Sequence, residues 1–408
     1  MLRTRLLAII SLVMMWAPAA MAGTIARPLE LYEYDPTALH FKVTQLTTQA
    51  DFTVYRVSFH SQVPSKYPEN QTVTCTYYQP AATEPVSAVV VLHVYRTVKA
   101  DMANELARHL ARRGLASLVM PLPYHLGRTP HGYESGELLL TPDPQQLLQT
   151  VRQALVDVRC AVHFLASRPH IAPHTIGCVG LSLGGVVALL ASQIEPRLSA
   201  VVAVAGAGSL TDIIWGSGLT HQLKQTLKHQ GITYDRLADD LAPVDIAALA
   251  GHNPNCAILM INSLHDWFVP KSAVLKTWHA LGKPPIIWLN SGHLTTFAVR
   301  GSLFAEVSRF LNDALITGQS YTPHRLPAIN LKLGFLDSEY DGPSLAAMVE
   351  ILPLDSKGHL ATEVGLTFDG GFGGTSYRIT ENLSVGIGSR IRRAKFQLQP
   401  YWMLHITF

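Results

Sequence analysis

The sequence predicts an α/β fold, with a mostly parallel sheet flanked by helices, followed by a C-terminal antiparallel β domain. Two observations lead to this prediction. Up to about residue 315, short apolar runs that are typical of buried parallel strands alternate with helix-like stretches. Beyond residue 328, apolar and polar residues alternate one by one, as they do in strands that have two different faces. The change of period divides the chain into two parts.

The first part begins with antiparallel lead-in strands, including the alternating run 52–59. Buried parallel strands are then predicted at 88–92, 116–120, 175–179, 200–205, 256–262 and 285–290. Helices are predicted at 102–113, 144–167, 185–191 and 303–316. Residues 210–250 interrupt this alternation, and we expect them to form an inserted cap within a domain that covers residues 23–317.

A strand-to-helix turn around Ser182 is the most informative feature of the chain. The sequence Gly180-Leu-Ser-Leu-Gly184 directly follows the apolar run 175–179 and precedes the helix-like run 185–191. This pattern is typical of a nucleophile elbow, a tight turn that lifts a serine hydroxyl clear of the backbone. Gly180 and Gly184 supply the space that the close approach of strand and helix requires. We therefore interpret Ser182 as a nucleophile.

An acid and a base follow the elbow along the chain. Asp266 lies in the loop after the predicted strand 256–262, and His293 follows the predicted strand 285–290. Because open parallel sheets place their active sites at the carboxyl ends of the strands, we expect the three side chains to meet at one edge of the sheet. A serine hydroxyl needs a histidine to accept its proton, and the histidine needs a carboxylate to orient it. The order serine, acid, base therefore predicts a catalytic triad.

These residues resemble the motifs of the α/β-hydrolase family, in particular its dienelactone-hydrolase-like and esterase-like branches. The resemblance covers about residues 70–315 and rests on the elbow, the loop that carries Asp266 and the Gly-His pair that ends at His293. It implies an α/β-hydrolase fold, with Ser182 as nucleophile, Asp266 as acid and His293 as base. We therefore predict a serine hydrolase that cleaves small-molecule or lipid esters through an acyl-enzyme, without a metal or an organic cofactor.

The predicted reaction also needs an oxyanion hole, made of backbone N–H groups that face the developing negative charge. In the elbow, Leu183, the residue after the nucleophile, supplies one of them. The second is expected from the loop after the strand 88–92, which reads His93-Val94-Tyr95. Here the sequence departs from the family, in which glycine commonly follows the histidine. Resemblance to esterases with His-Gly-Tyr in this loop favours the N–H group of Tyr95.

Other residues compete for roles in the site. Asp212 is the second candidate for the acid, and Asp245 is a weaker one. His265 is interpreted as a partly buried loop histidine rather than as a rival base. Three residues of the loop 121–128 either contact the substrate or hold that loop together: Tyr124, His125 and Arg128.

The same triad serves other reactions, so two alternatives to ester hydrolysis stay open. An acyltransferase or a peptidase would use the same side chains with a different acyl acceptor or a different acyl donor. In the second alternative, the protein is a non-catalytic scaffold whose hydrolase fold carries the C-terminal β domain.

Residues 1–22 have the features of a secretory signal peptide, with arginines in the first five positions, an apolar core over 6–16 and small residues at Ala20 and Ala22. An uncleaved membrane anchor is the alternative. Export predicts a location in the periplasm or outer membrane of a Gram-negative bacterium.

The net charge of +3 does not indicate a nucleic-acid partner. We interpret all four cysteines as buried free thiols, with one conceivable disulfide between Cys160 and Cys178.

A linker at 318–327 leads into the β domain at 328–408. Its longest alternating run covers 396–408, and its turns are predicted at sites such as 369–375. This part weakly resembles the strands of bacterial outer-membrane β-barrel proteins. The pattern indicates five or six strands, whereas single-chain outer-membrane barrels start at about eight. Either several chains combine their strands in the outer membrane, as a homo-oligomer, or a soluble sheet covers part of the hydrolase.

Overall fold

The computed structural model describes residues 29–327, 329, 331–337, 344–353, 359–367, 370–379, 383–392 and 398–407. The predicted signal peptide lies outside these residues. The described chain contains a mostly parallel sheet flanked by helices and a separate antiparallel barrel at the C-terminal end. The predicted fold class is therefore confirmed. Among the described residues, none of the helices has both the length and the apolar character that crossing a bilayer requires.

Nine strands form the large sheet. They are β1 Lys42–Thr48, β2 Phe52–His60, β3 Thr72–Pro80, β4 Val86–Leu92, β5 Ala116–Met120, β6 Ile171–Leu181, β7 Leu198–Val204, β8 Ala257–Ser263 and β9 Ile286–Leu289. Their order across the sheet is β1-β2-β3-β5-β4-β6-β7-β8-β9. Neighbours are antiparallel from β1 to β5 and parallel from β5 onward. The carboxyl ends of the six parallel strands therefore lie at one edge, where a site can form.

Helices cover both faces of this sheet. In the described residues they are α1 Pro68–Gln71, α2 Asp101–Ala111, α3 Pro144–Ala166, α4 Leu183–Ile194, α5 Leu210–Gly216, α6 His221–His229, α7 Tyr234–Leu241, α8 Ile246–Leu249, α9 Lys271–Ala280, α10 His293–Thr296 and α11 Arg300–Asn312. In β4, Val90 and Leu92 face the core beneath α3 and α4, whereas Val89 and Val91 face the core beneath α2 and α11. Because both faces of β4 are buried, both alternating sets of its side chains are apolar, which explains the uninterrupted apolar run at 88–92.

Local signals explain where the longest helix begins. Pro144 occupies the first position of α3, and the side chain of Asp143 accepts hydrogen bonds from the backbone N–H groups of Gln145 at 2.9 Å and Gln146 at 3.3 Å. A proline at this position and a carboxylate cap satisfy donors that a helix start leaves unpaired. The Asp143 cap and Pro144 thus explain where α3 begins, and the apolar residues along its length explain why it packs on the sheet.

The loop 121–128 has a structural role. Arg128 and Asp157 form a buried ion pair at 2.8 Å, with side-chain exposures of 1% and 0%. The Arg128 guanidinium also donates to the carbonyl oxygens of Asn70 and Pro121. A buried charge of this kind is stable only when its partners are in place, so the pair fixes the loop to α3. In the same core, all four cysteines are buried and free.

Six strands form the C-terminal barrel. They are β10 Leu331–Asp337, β11 Ser344–Pro353, β12 Leu360–Thr367, β13 Gly370–Arg378, β14 Leu383–Arg392 and β15 Leu398–Thr407. Neighbours along the chain pair antiparallel, and β10 pairs with β15, which closes the barrel within one chain. The expectation that this number of strands is too small for a barrel is therefore wrong for this fold.

The turn predicted at 369–375 is also wrong, because residues 370–378 form strand β13. Glycines in this region misled the prediction, since they commonly mark turns. In β13, a Cβ atom at Gly371 or Gly373 would lie 3.7 to 3.8 Å from its nearest neighbours, which is ordinary contact. Close packing requires glycine in the neighbouring strand β12 instead. At Gly365, a Cβ atom would lie 2.3 Å from the carbonyl oxygen of Ala347 and 2.4 Å from the ring of Phe372. Glycine therefore lets a small barrel close where a larger residue would not fit.

Candidate active site

The predicted elbow lies between β6 and α4. Ser182 has a positive φ of 52°, a conformation that is strained for a residue with a side chain. Its N–H donates to the carbonyl oxygen of Val204 at 2.8 Å, and the N–H of Gly184 donates to the carbonyl oxygen of His93 at 3.1 Å. A Cβ atom at position 180 would lie 1.9 Å from the carbonyl oxygen of Gly184. The elbow therefore requires glycine at this position.

The structure brings the three predicted triad side chains together. Ser182 Oγ lies 2.8 Å from His293 Nε2, and His293 Nδ1 lies 2.7 Å from Asp266 Oδ2. His293 is 7% exposed and the Asp266 side chain 3%. Because the carboxylate only accepts, Nδ1 carries the proton, and Nε2 is free to accept from the serine hydroxyl. This arrangement allows a histidine to remove the serine proton.

Backbone hydrogen bonds hold the acid in position. Asp266 Oδ1 accepts hydrogen bonds from the backbone N–H groups of Phe268 and Val269, both at 2.8 Å. These bonds leave Oδ2 directed at the imidazole. The ring of Phe268 also packs against the imidazole of His293, with 4.9 Å between ring centroids. The short loop after β8 thus fixes both the carboxylate and one face of the base.

A buried hydroxyl cluster supports the histidine loop. The hydroxyl of Ser291 lies 3.0 Å from that of Ser263 and 3.1 Å from that of Thr296, and Ser263 also hydrogen-bonds Thr296. Thr296 Oγ1 donates further to the carbonyl oxygen of Gly292 at 3.0 Å. The cluster joins β8 to the segment that carries His293. Sequence reasoning missed it, because isolated serines and threonines give no signal of their positions in space.

His93 stabilises the loop that is expected to complete the oxyanion hole. The Nδ1 atom of its ring lies 2.8 Å from the carbonyl oxygen of Val94, and its Nε2 atom accepts from the N–H of Leu122 at 3.0 Å. Tyr95 and Leu183 both line a cavity together with the nucleophile. The ring of Tyr95 packs against His125 at 5.8 Å. The two predicted donor residues therefore belong to the same site.

Both buried histidines of this region should make the fold sensitive to acid. Burial lowers the pKa of His93 from 6.5 to about 4 and that of His125 to about 3. Protonated Nε2 of His93 would also point a donor at the N–H of Leu122. Between about pH 6.5 and pH 4, only the unfolded chain binds protons at these rings, so the free energy of unfolding falls as the pH falls. The expected loss is on the order of 3 kcal/mol per histidine.

Urea unfolding at about pH 7 and about pH 4.5 checks this expectation. In His93→Gln, the amide oxygen can accept the Leu122 N–H and cannot be protonated, so acidification should cost this variant less stability than the unaltered protein. Equal losses in the two proteins would contradict the assignment of the acid sensitivity to His93.

The site opens into an apolar cavity of about 410 Å³. The predicted cap, residues 210–250, contributes Ile213 and Leu219 to its wall. Leu139 and Leu140, which sequence reasoning missed, also line it. They belong to no motif, and only the path of the chain after residue 128 brings them here. The lining contains none of the three candidates from the loop 121–128: Tyr124, His125 and Arg128.

The competing residues have other partners. Asp212 accepts hydrogen bonds from Ser209, Tyr234 and Lys276, and the carboxylate of Asp245 caps α8 and accepts from the N–H of Leu210. These carboxylates stabilise the cap.

Within the described residues, no group of three or more His, Cys, Asp or Glu side chains is arranged to hold a metal ion.

His265 connects the acid loop to the barrel. Its Nε2 atom lies 3.0 Å from Asn290 Oδ1, and Asn290 Nδ2 donates to Glu350 Oε1 of β11 at 2.8 Å. Burial lowers the pKa of His265 to about 4, so it stays neutral near neutral pH. His265 and Asn290 lie next to the loops that carry Asp266 and His293, so one end of the barrel contacts the edge of the sheet where the site lies.

Comparison with known families agrees with this architecture. Residues 73–240 match the model of the dienelactone hydrolase family. This range includes Ser182 and ends before Asp266 and His293. The predicted resemblance to the dienelactone-hydrolase-like branch is confirmed, and the match supports a hydrolase.

Solved structures with the same fold include two acetyl xylan esterases. Acetyl xylan esterase 1 from Thermoanaerobacterium sp. JW/SL YS485 is 17% identical, with a TM-score of 0.55 over 71% of this chain and 91% of that one. The enzyme from Paenibacillus sp. R4 is 20% identical, with a TM-score of 0.56 over 71% of this chain and 92% of that one. At these identities the likeness shows the α/β-hydrolase fold.

Curated relatives include uncharacterized proteins from two strains of Mycobacterium tuberculosis, CDC 1551 / Oshkosh and H37Rv. Each is 27% identical over 202 residues, which is 49% of this chain and 46% of the relative. The chain thus spans less than half the length of these relatives.

Proposed function

We propose that the protein is an exported serine hydrolase that cleaves carboxylic esters through an acyl-enzyme on Ser182. The observation that carries this proposal is the hydrogen-bonded line from Asp266 through His293 to Ser182 at the wall of an apolar cavity. The match to a hydrolase family supports it, as do similar structures that are named acetyl xylan esterases. Export rests on residues 1–22 of the sequence.

In the first half of the reaction, Ser182 Oγ attacks the ester carbonyl carbon while His293 Nε2 takes the hydroxyl proton. Asp266 stabilises the imidazolium that forms. The N–H groups of Leu183 and Tyr95 donate to the oxyanion of the tetrahedral intermediate, and each such donor contributes about 3 to 4 kcal/mol in related chemistry. Collapse of the intermediate breaks the bond to the alcohol, which leaves with the proton from His293.

In the second half, water replaces the alcohol. His293 takes a proton from the water, whose oxygen attacks the acyl carbon on Ser182. The second tetrahedral intermediate releases the carboxylic acid, and the proton returns from His293 to Ser182 Oγ. Since the same groups act in both halves, the resting hydrogen bonds between these residues are restored at the end of each turnover.

The cavity suggests the class of acyl group. Its volume of about 410 Å³ lies toward the lower end of the usual range for small-molecule sites, roughly 300 to 1,000 Å³. Its wall is mainly aliphatic and aromatic, with Ile213 and Leu219 from the cap and Phe297 behind the base. An apolar acyl chain of short to medium length fits these dimensions, whereas a long fatty acyl chain would extend out of the cavity.

A graded series of p-nitrophenyl esters, from acetate to palmitate, tests this proposal. We expect kcat/KM to be highest for short to medium acyl chains and to fall by about tenfold or more for palmitate. Absence of hydrolysis across the whole series would contradict ester cleavage.

Filling the cavity should change this chain-length profile. In Ile213→Trp, the larger side chain reduces the volume of the cavity. We therefore expect kcat/KM for the octanoate ester to fall about tenfold and kcat/KM for the acetate ester to change little. The control Leu46→Trp alters an exposed residue of β1 that does not line the cavity. An unchanged profile in Ile213→Trp would show that this cavity does not bind the acyl chain.

A further inference from the structure

The outer surface of the barrel is unusually apolar. Nineteen large apolar side chains are exposed in the described residues, and eight of them belong to the hydrolase part. The other eleven lie on the barrel, although it is much the smaller part: Leu333, Phe335, Leu345, Val364, Leu366, Tyr377, Ile379, Val385, Ile387, Ile391 and Leu404. Two of them are more than two-thirds exposed, with Ile387 at 71% and Leu366 at 70%. Water is a poor solvent for such a surface.

The interior of the barrel contains charged side chains. Lys332, Glu350 and Glu363 are at most 8% exposed. Lys332 pairs with Glu350 at 3.2 Å and with Glu363, while Arg378 also pairs with Glu350 at 3.2 Å. Among the described side chains, these two positive and two negative charges therefore neutralise one another inside. A soluble barrel has the opposite distribution, with apolar residues inside and charges outside.

Register shows that the apolar surface is continuous. Phe335 on β10 lies opposite Leu345 on β11 and opposite Leu404 on β15. Leu404 in turn lies opposite Val385 on β14, which lies opposite Tyr377 on β13. Directly opposed residues share one face of a sheet. One row of large apolar side chains thus crosses five neighbouring strands.

The remaining strand, β12, continues this belt. Val364 and Leu366 are exposed on it at 45% and 70%. Leu366 lies opposite Ala347 of β11 and Gly371 of β13, which are also uncharged. None of the described side chains on the outward-facing strand positions carries a charge. The apolar belt therefore surrounds the barrel instead of marking one side of it.

Backbone hydrogen bonding fits the same environment. Pairing of β10 with β15 leaves the sheet without a free edge. Lipid hydrocarbon tolerates strands only when they close in this way, because it offers no partner for an unpaired N–H or C=O group. Four of the six strands contain 9 or 10 residues, and the other two contain 7 and 8, whereas strands that cross a bilayer contain roughly 9 to 11.

We propose that the outer surface of the barrel faces the acyl chains of a lipid bilayer and attaches the enzyme to the membrane. A second copy of the chain would cover one side, whereas the belt occupies every strand. A groove of about 840 Å³ between Phe335, Tyr377 and Ile387 adds space in which an acyl chain can lie. Asn290 of the hydrolase part hydrogen-bonds Glu350 of the barrel, and the belt residues are exposed with the hydrolase part in place. In this proposal the hydrolase part therefore lies beside the membrane.

A fluorescent probe can report on the surroundings of the belt directly. The native cysteines are buried, so a nitrobenzoxadiazole reagent should label an added cysteine selectively. The full chain carrying Ile387→Cys is labelled and reconstituted into phosphatidylethanolamine and phosphatidylglycerol vesicles. Nitroxides on the acyl chains should quench this probe, and aqueous iodide should not. The control Leu46→Cys, on an exposed strand of the hydrolase part, should give the reverse result.

Two outcomes would overturn the proposal. Quenching of the Ile387→Cys probe by iodide in the vesicle sample would place this surface in water. Protection from both quenchers, together with a defined oligomer in size-exclusion chromatography, would place it against a second copy of the chain.

Charges on the belt provide a second test. The double variant Leu366→Lys with Ile387→Lys should reduce co-flotation with the same vesicles by about tenfold or more, because lysine in hydrocarbon is unfavourable. Leu46→Lys should float like the unaltered protein. Hydrolysis of a soluble short-chain ester shows that each variant has a folded hydrolase part. Unchanged flotation of an active double variant would contradict hydrocarbon contact.

Discussion

Replacing Ser182 with alanine is expected to lower kcat for short-chain esters by about four to six orders of magnitude. The substitution removes the serine oxygen that lies 2.8 Å from His293 Nε2, so no acyl-enzyme can form on this residue. Substrate binding should change little, because the wall of the cavity remains. Stopped assays with enough enzyme to detect the residual rate measure the effect.

A second serine provides the control. Ser199 lies at the start of β7, and its hydroxyl donates to the carbonyl oxygen of His174 at 2.8 Å, far along the strand from the elbow. Ser199→Ala should retain nearly full activity. If Ser182→Ala kept more than about a hundredth of the activity with unaltered folding, the serine mechanism would be wrong.

Replacing Gly180 with alanine is expected to have the largest effect on stability. The added Cβ atom would lie 1.9 Å from the carbonyl oxygen of Gly184 and 2.4 Å from the backbone nitrogen of Gly185. Both contacts are with backbone, so no side-chain rotation relieves them, and β6 and α4 must separate. We expect a loss of about 4 kcal/mol or more in the free energy of unfolding, with loss of activity. Thermal and urea unfolding measure it.

Gly301→Ala is the matched control for this substitution. Gly301 lies in the first turn of α11, and a Cβ atom there would have nothing within 4 Å. Because alanine favours helix over glycine, this variant should be unchanged or more stable by up to about 1 kcal/mol. Equal stability of Gly180→Ala and Gly301→Ala would contradict the tight packing of the elbow.

Much of the hydrolase part could be predicted from the sequence because its signals are local. Apolar runs defined the parallel strands, and the glycines around Ser182 defined the elbow. The positions of Asp266 and His293 after strands were enough to expect them at the same edge, where the structure places them. Their catalytic roles stay predictions until they are measured.

Other features depend on contacts between distant segments. Leu139 and Leu140 line the cavity only because the long loop before α3 passes over it. The hydrogen bond between Asn290 and Glu350 joins residues 60 positions apart, and nothing near either residue in the sequence indicates it. Closure of the barrel is likewise a property of the pairing between β10 and β15.

The alternating pattern itself was ambiguous in one respect. Alternation shows that a strand has two different faces, but it does not show which face is inside. In the barrel, Lys332 and Glu363 lie inside, and Phe335 and Ile387 lie outside. Only the closed structure reveals this reversal of the usual arrangement, and the proposal of hydrocarbon contact rests on it.

Intact-protein mass spectrometry after treatment with a fluorophosphonate tests the central claim most directly. The reagent reacts with a serine only when a neighbouring base activates it and an oxyanion hole holds the phosphonyl oxygen. The account predicts one adduct per chain, located on Ser182 by peptide mapping, and none in Ser182→Ala. An enzyme that hydrolyses esters without forming an adduct, or with the adduct on another residue, would contradict it.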